Sequence, residues 1–215
     1  MLIGAGCVAS IQAGVISLGE YGAAPRYVAA QREGRIKVKE STCPAIEAAL
    51  TAGERGIPFM PVRGIIGSDV VRLRSDEWKV GTNPFEPHDP ILFVPAIRPD
   101  VALIHAPLAD RAGNLWIGRN GHTRVLTHAA AFTIATFENW YDGNLFDDER
   151  MRAGVLPAQY VRASVHVPHA TWPMRFGEIH AEDSANLRRY AKAAATQEGF
   201  DAYLQEFVFN ERKVA

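Results

Sequence analysis

The sequence predicts an α/β fold, an open and mostly parallel sheet flanked by helices, and three observations carry that reading. Val101 to Ala106 is an almost unbroken apolar run bounded by Pro99 and Pro107. Such a run suits a strand covered on both faces, as parallel strands are. Extended and helical periodicities alternate along the chain, as an α/β domain requires. The Val101 strand then meets Asp110, Arg111, Gly113 and Asn114, a turn at its carboxyl end, the edge where ligands usually sit in open α/β sheets.

Taken in order, Met1 to Val8 (MLIGAGCV) reads as a buried strand entering a glycine-rich turn. With no polar lead-in and no cap, the chain reads as beginning inside a domain, either as a shortened sequence or as a natural subunit whose sheet another chain completes. Pro25 to Arg32 is expected as a helix with Pro in its first turn, ended by Gly34, and Ile36 to Glu40 alternates as a strand. Pro44 to Ala52 places Ile46, Ala49 and Leu50 on one helical stripe, with Thr42 as a plausible cap and Gly53 and Gly56 closing the segment. Pro58 to Gly67 (PFMPVRGIIG) is broken by Pro and Gly and is expected as an ordered loop. Ser75 to Pro90 reads as a surface excursion.

Beyond the Val101 strand, Asn114 to Ile117 is expected as a short strand, His122 to Ala131 as a helix, and Phe132 to Phe137 as a buried strand ending at Glu138. Tyr160 to Val167 supplies another strand. Ala181 to Ala195 and Glu198 to Phe209 close the chain as helices, the second carrying Phe200, Tyr203, Leu204 and Phe207 on one face.

At 215 residues, 47% hydrophobic and a mean hydropathy of -0.08, the chain can bury a sizeable core, and a single domain over 1–215 is expected. Its 23 basic and 24 acidic side chains leave a net charge of -1, which announces no polyanion-binding surface and no nucleic acid partner. Cys7 and Cys43 show neither metal spacing nor a disulfide framework, which suits a reducing cytoplasm. The apolar start lacks a basic flank and is too short to span a bilayer.

Three stretches together carry a family resemblance: EYGAAPRYVAAQREGRIKVKE at Glu20 to Glu40, GIPFMPVRGIIGSD at Gly56 to Asp69, and VPAIRPDVALIHAPLADRAGN at Val94 to Asn114. They resemble the alpha subunit of a family I CoA-transferase, of the glutaconate CoA-transferase type, and the likeness runs from Leu2 to about Phe207. The resemblance implies the CoA-transferase (NagB/RpiA-like) architecture, with an alpha-type and a beta-type domain flanking one active site. It implies movement of CoA from an acyl-CoA to a carboxylic acid through a glutamyl-CoA thioester, which stores the activation that hydrolysis would waste. No permanently bound cofactor is implied; coenzyme A or its acyl thioester enters as substrate. The family's nucleophilic glutamate lies in a motif of the beta subunit that this chain lacks, so a beta-subunit partner and a hetero-oligomer are expected. The residues before Met1 that should hold the family's glycine-rich oxyanion-binding segment are absent, so either the sequence is shortened or the activity is altered or lost, and a non-catalytic shortened relative is a further alternative.

Among single residues, Glu20 is the candidate catalytic acid. Some relatives of this type resemble a design that hydrolyses a carbon ring in a CoA thioester with a glutamate of the alpha chain; the alternative is that Glu20 caps the helix starting near Pro25. Glu40 reads as structural. Arg63, Gly64, Gly67, Ser68 and Asp69 form a candidate CoA- or substrate-binding loop, where glycines let backbone N–H groups approach a ligand and Arg63 holds a carboxylate or phosphate. The alternative there is a rigid loop in which Arg63 pairs with Asp69. Glu138 is either a cleft carboxylate binding substrate or the start of a loop. Asp110, Gly113 and Asn114 lean towards turn structure. The seven histidines show no zinc spacing, no metal is expected, and His105 reads as a hydrogen-bonded core residue. A chain that forms half of a composite site should also expose an apolar face.

Overall fold

The computed structural model describes residues 1–210; residues 211–215, the end of the expected 1–215 domain, lie outside the described part. The described chain forms two compact units, one holding Met1–Thr42 and the segment from Trp172 onward, the other Cys43–Thr171.

In the first unit β1 (Ser10–Ala13) pairs in parallel with β2 (Lys37–Glu40), and α1 (Pro25–Arg32) makes the crossover between them. Pro25 occupies the first turn of α1, where its missing N–H is not needed. Helices α5 (Ser184–Ala193) and α6 (Gln197–Leu204) are both capped by side chains: Asp183 accepts from the Asn186 N–H at 2.9 Å and Thr196 from the Gly199 N–H at 3.1 Å. Phe200, Tyr203 and Leu204 are buried on one face of α6, as the helical spacing requires, and the last turn widens into a π-helix at Gln205–Phe209. The buried strand expected at Met1 to Val8 is not formed. These residues make turns closed by local backbone hydrogen bonds, the Ala5 N–H to the Met1 carbonyl at 3.1 Å and the Cys7 N–H to the Leu2 carbonyl at 3.0 Å, and are mostly exposed; the buried member, Gly4, packs so close to the Phe200 ring that a Cβ would meet it at 2.7 Å. Arg26 is buried and fully engaged, donating to the Ala194 carbonyl at 2.7 Å, the Gln197 side chain at 2.9 Å and the Ala195 carbonyl at 3.1 Å.

In the second unit α2 (Cys43–Glu54) packs on an antiparallel sheet of order β3-β5-β4, made of Phe59–Val62, Pro90–Pro95 and Lys79–Thr82, with the short α3 (Asp69–Leu73) between β3 and β4. Two expectations are corrected here. The stretch Pro58 to Gly67 opens with a strand, and Ser75 to Pro90 contributes another. Pro61 sits on an edge strand and Pro90 begins its strand, positions where a missing N–H is tolerated. Ala45, Ala49, Trp78, Leu92 and Val94 are the core between helix and sheet. Gly53 lets the α2 C-terminus touch the Ile97 loop, where a Cβ would lie 2.1 Å from the Ile97 carbonyl oxygen.

The larger sheet, of order β10-β8-β6-β7-β9, positions the chemistry. Its β6 (Val101–Ala109), β8 (Phe132–Trp140) and β10 (Val161–His166) run parallel; β7 (Leu115–Trp116) and β9 (Val155–Leu156) add antiparallel edges, and α4 (Gly121–Ala129) connects β6 to β8. The expected mostly parallel sheet is therefore a mixed one, because the two-residue strands after Asp110 fold straight back instead of crossing over. Strand β8 runs on through Glu138 to Trp140 rather than stopping before it. One face of this sheet is packed: Ala102, Ala106, Ala135 and Phe137 are buried, with Ala106, Ala135 and Phe137 joined by Leu115, Ile117 and Leu156 in one cluster.

Candidate functional site

At the carboxyl end of β6 the chain turns at Asp110, which is 1% exposed. Its carboxylate accepts from the backbone N–H groups of Ala112 (3.0 Å), Asn114 (2.9 Å) and Leu145 (3.1 Å) and from Asn114 Nδ2 (2.8 Å). Burial alone would raise the pKa of this carboxyl, but the hydrogen bonds from Asn114, Leu145 and Ala112 outweigh it and hold the group below its ordinary value. Asn114 Oδ1 in turn accepts from the Ala158 N–H at 2.9 Å, and Gly113 takes a φ of 88°. The polar groups of this motif are spent on the turn, as its composition suggested.

The neighbouring strand carries a denser arrangement. His105 and Thr136 are register partners on β6 and β8, and Glu138 lies two residues further along β8 on the same face. His105 Nδ1 is 2.7 Å from Thr136 Oγ1, and its Nε2 is 2.7 Å from Glu138 Oε1. The Glu138 carboxylate, on a residue 2% exposed, also accepts from the His169 N–H at 2.9 and 3.2 Å, while its backbone carbonyl accepts from His166 Nε2 at 2.8 Å. His169 has a left-handed backbone, φ 60°, unusual for a residue other than glycine. Beside this network Arg111 stacks over the exposed Trp140 ring at 3.9 Å, and Trp140 packs edge-on against Phe137 at 4.7 Å. The structure thus joins Glu138 to His105, His166 and His169, a grouping that sequence spacing does not reveal because the residues come from three segments. Strand parity, 136 with 138 and 105 opposite, was the available signal. Among the described residues no group of three or more His, Cys, Asp or Glu is arranged to hold a metal ion.

Arg63, Gly64, Gly67 and Ser68 lie in one exposed turn between β3 and α3, and Asp69 is the exposed first residue of α3. Arg63 pairs with Asp89 at 2.5 Å, while Asp69 pairs with Arg72 at 3.2 Å, so the expected Arg63–Asp69 pair is replaced by one that crosses to the start of β5. Ser68 Oγ donates to the Ile65 carbonyl at 2.7 Å, and Gly67 holds the turn with a φ of 87°. Arg63, Gly64, Ile66 and Pro90 line an open recess beside it.

In the other unit Glu20 is exposed in a 3-10 turn, Gly19–Tyr21, closed by the Ser17–Ala23 bridge. It does not cap α1, whose N-cap is Ala24 without a side-chain hydrogen bond. Tyr21 Oη donates to Glu182 at 2.5 Å and Ser184 Oγ donates to the same oxygen at 2.8 Å; these bonds, Tyr21's first, hold the Glu182 carboxyl below its usual range. A mainly apolar cavity of about 270 Å³ in this unit, lined by Ile3, Ile16, Leu18, Tyr27, Tyr190 and Tyr203 among others, was not foreseen from sequence.

No family model matches the chain. Over 197 residues it is 29% identical to the A chain of glutaconate CoA-transferase from Acidaminococcus fermentans, a match covering 82% of this chain and 60% of that protein. Over 213 residues it is 29% identical to the corresponding chain of 3-oxoadipate CoA-transferase from Pseudomonas knackmussii, covering 97% and 73%. The IpdA chain of a cholesterol ring-cleaving hydrolase from Rhodococcus jostii is 26% identical over 191 residues, covering 86% and 64%. The crystal structure of the A. fermentans glutaconate CoA-transferase superimposes with a TM-score of 0.88 at 26% identity, over 98% of this chain and 71% of that one. The chain spans about three-fifths of the length of the first of these relatives. With its α/β architecture and the likeness spread over nearly all of its length, the chain is homologous to the alpha-type chains of glutaconate and 3-oxoadipate CoA-transferases.

Proposed function

We propose that this chain is the alpha component of a CoA-transferase, which moves CoA between an acyl-CoA and a carboxylic acid through a glutamyl-CoA thioester on a partner beta subunit. The superposition on a glutaconate CoA-transferase, at a TM-score of 0.88 over 98% of the chain, is the observation that carries this reading. In it the chain works in the cytoplasm, holds no permanent cofactor, and takes CoA and its acyl esters as substrate. The exposed loop of Arg63, Gly64, Gly67, Ser68 and Asp69 contributes to CoA or substrate binding, its guanidinium meeting a carboxylate or phosphate. Glu138 contributes to substrate binding at the carboxyl edge of the large sheet by way of the network that encloses it, His105 and the His169 N–H. The chain's part is to bind, to orient and to exclude water, since a glutamyl thioester open to water would be lost to hydrolysis.

The experiment is to combine the chain with a candidate beta subunit, supply acyl-CoA and a labelled carboxylate, and follow label into the new CoA ester. Borohydride reduction of the acyl-loaded complex should then mark one glutamate of the beta subunit. A reduced glutamate on this chain, or transfer that proceeds without any beta subunit, would refute the reading.

A second reading, a ring-opening CoA-thioester hydrolase using Glu20 as its acid, draws on the likeness to the ring-cleaving hydrolase and on the exposure of Glu20, which no helix cap claims. Glu20→Gln separates the two: abolished turnover with an unchanged melting temperature supports the hydrolase, and unchanged turnover removes it.

A further inference from the structure

In the large sheet β7 and β9 lie on one side of β6, and β8 and β10 lie on the other, so the strand order reverses at β6. In open α/β sheets ligands sit outside the carboxyl ends of the strands beside such a reversal. Ala109, the last residue of β6, is the register partner of Trp140, the last residue of β8, and the Tyr141 N–H donates to the Ala109 carbonyl at 2.8 Å. This pairing brings the turn after β6 up to the indole: Arg111 lies with its guanidinium carbon 3.9 Å from the centre of the Trp140 ring. Both side chains are exposed.

A guanidinium stacked on a ring uses its flat face and keeps its N–H edge for an acceptor. Among the described residues no carboxylate forms an ion pair with Arg111. Asp110, beside it in the chain, is committed to the N–H groups of its own turn and of Leu145, and Asp148 to the Tyr141 hydroxyl at 3.1 Å and the Arg150 N–H at 2.8 Å. The surroundings of the stack are fixed. The His166 ring lies 6.2 Å from that of Trp140 and is held by the Glu138 carbonyl, while the buried Glu138 carboxylate holds the left-handed backbone of the exposed His169. Backbone strain of this kind, imposed by a buried charge, collects at ligand-facing segments.

We infer that Arg111, seated on Trp140, binds an oxyanion of the substrate at the carboxyl edge of β6 and β8. Two coplanar N–H groups of the guanidinium match two oxygens of a phosphate of CoA or of the carboxylate of the acid. That the ligand is CoA or its acid partner rests on the CoA-transferase reading.

The test is calorimetry on the full chain, alone and combined with a candidate beta subunit, with three probes: CoA, pantetheine, which lacks the phosphates, and glutarate. Arg162, stacked over Phe132 at the amino ends of the same strands, is the matched control. The expected result is that Arg111→Gln weakens CoA or glutarate about tenfold or more and leaves pantetheine unchanged. The loss should shrink at high salt. Trp140→Ala should weaken the same probe, Trp140→Phe should restore it, and Arg162→Gln should change nothing. Loss for CoA alone assigns the group to a phosphate, and loss for glutarate alone assigns it to the carboxylate. Binding of every probe at the wild-type level, no binding of CoA or glutarate by the wild type, or an equal loss that includes pantetheine overturns the anion site. A complex that transfers CoA with Arg111→Gln affinities unchanged overturns the site and leaves the transferase reading intact. A complex that moves no CoA with any donor and acceptor, yet binds CoA through Arg111, does the reverse.

Discussion

His105 on β6 places Nε2 2.7 Å from Glu138 on β8, and the two side chains are 10% and 2% exposed. A carboxylate so far from water survives only when its lone pairs are met, and here the His169 N–H meets the remaining demand. The pair therefore ties β6 and β8 to the segment that follows β10.

Removing one partner should be costly. Glu138→Ala is expected to destabilise the chain by about 3–5 kcal/mol, a fall in Tm of roughly 6–20 °C for a chain of this size. A thermal melt checks it, and a double-mutant cycle with His105→Ala should give a coupling of about 1–3 kcal/mol. A Tm change under about 2 °C in both single variants would show that the network holds nothing.

Asp110 should confer acid sensitivity. Its carboxyl is held below the ordinary value because the hydrogen bonds from Asn114, Leu145 and Ala112 outweigh the effect of burial. A depressed folded pKa adds stability that is in full force above the unfolded value of about 4 and is lost as pH falls through the folded value. At neutral pH Asp110→Asn is expected to cost about 1–3 kcal/mol, since it replaces an acceptor facing N–H donors with one that also carries donors. The gap in Tm between wild type and variant should narrow steadily below about pH 4; a gap independent of pH refutes the assignment.

Two glycines of the second unit should respond in opposite ways. A Cβ on Gly53 would lie 2.1 Å from the Ile97 carbonyl oxygen, whereas one on Gly64 meets nothing within 4 Å. Gly53→Ala is expected to cost about 1–3 kcal/mol through forced separation of α2 from its loop. Gly64→Ala should stay within about 0.5 kcal/mol, so any loss of CoA-ester affinity in that variant reports on binding. Urea unfolding measures both, and equal costs would contradict the packing.

Arg63 offers a similar separation of fold from function. Its pair with Asp89 has side chains 70% and 19% exposed, and such partly solvated pairs contribute at most about 1 kcal/mol. Arg63→Ala is expected to leave the melting temperature nearly unchanged and to weaken CoA-ester binding at least about tenfold if the guanidinium holds an anionic group of the ligand. Unchanged affinity by calorimetry would confine Arg63 to its surface pair.

The sequence by itself determined the α/β class, most helices, and the strands at Lys37, Val101, Phe132 and Val161, because each rests on a local period of apolar side chains or on a Pro or Gly boundary. It also marked the Asp110 turn and the hydrogen-bonded character of His105. It misread Met1 to Val8 and the strands at Phe59 and Lys79, where apolar residues or prolines carry opposite meanings in an edge strand, a loop and a core. Only the tertiary structure decided that Arg63 pairs with Asp89 rather than Asp69 and that Glu138 is enclosed by His105 and His169. Those facts depend on which segments meet across a sheet. That is set by summed packing over residues far apart in the chain, and no local pattern records it.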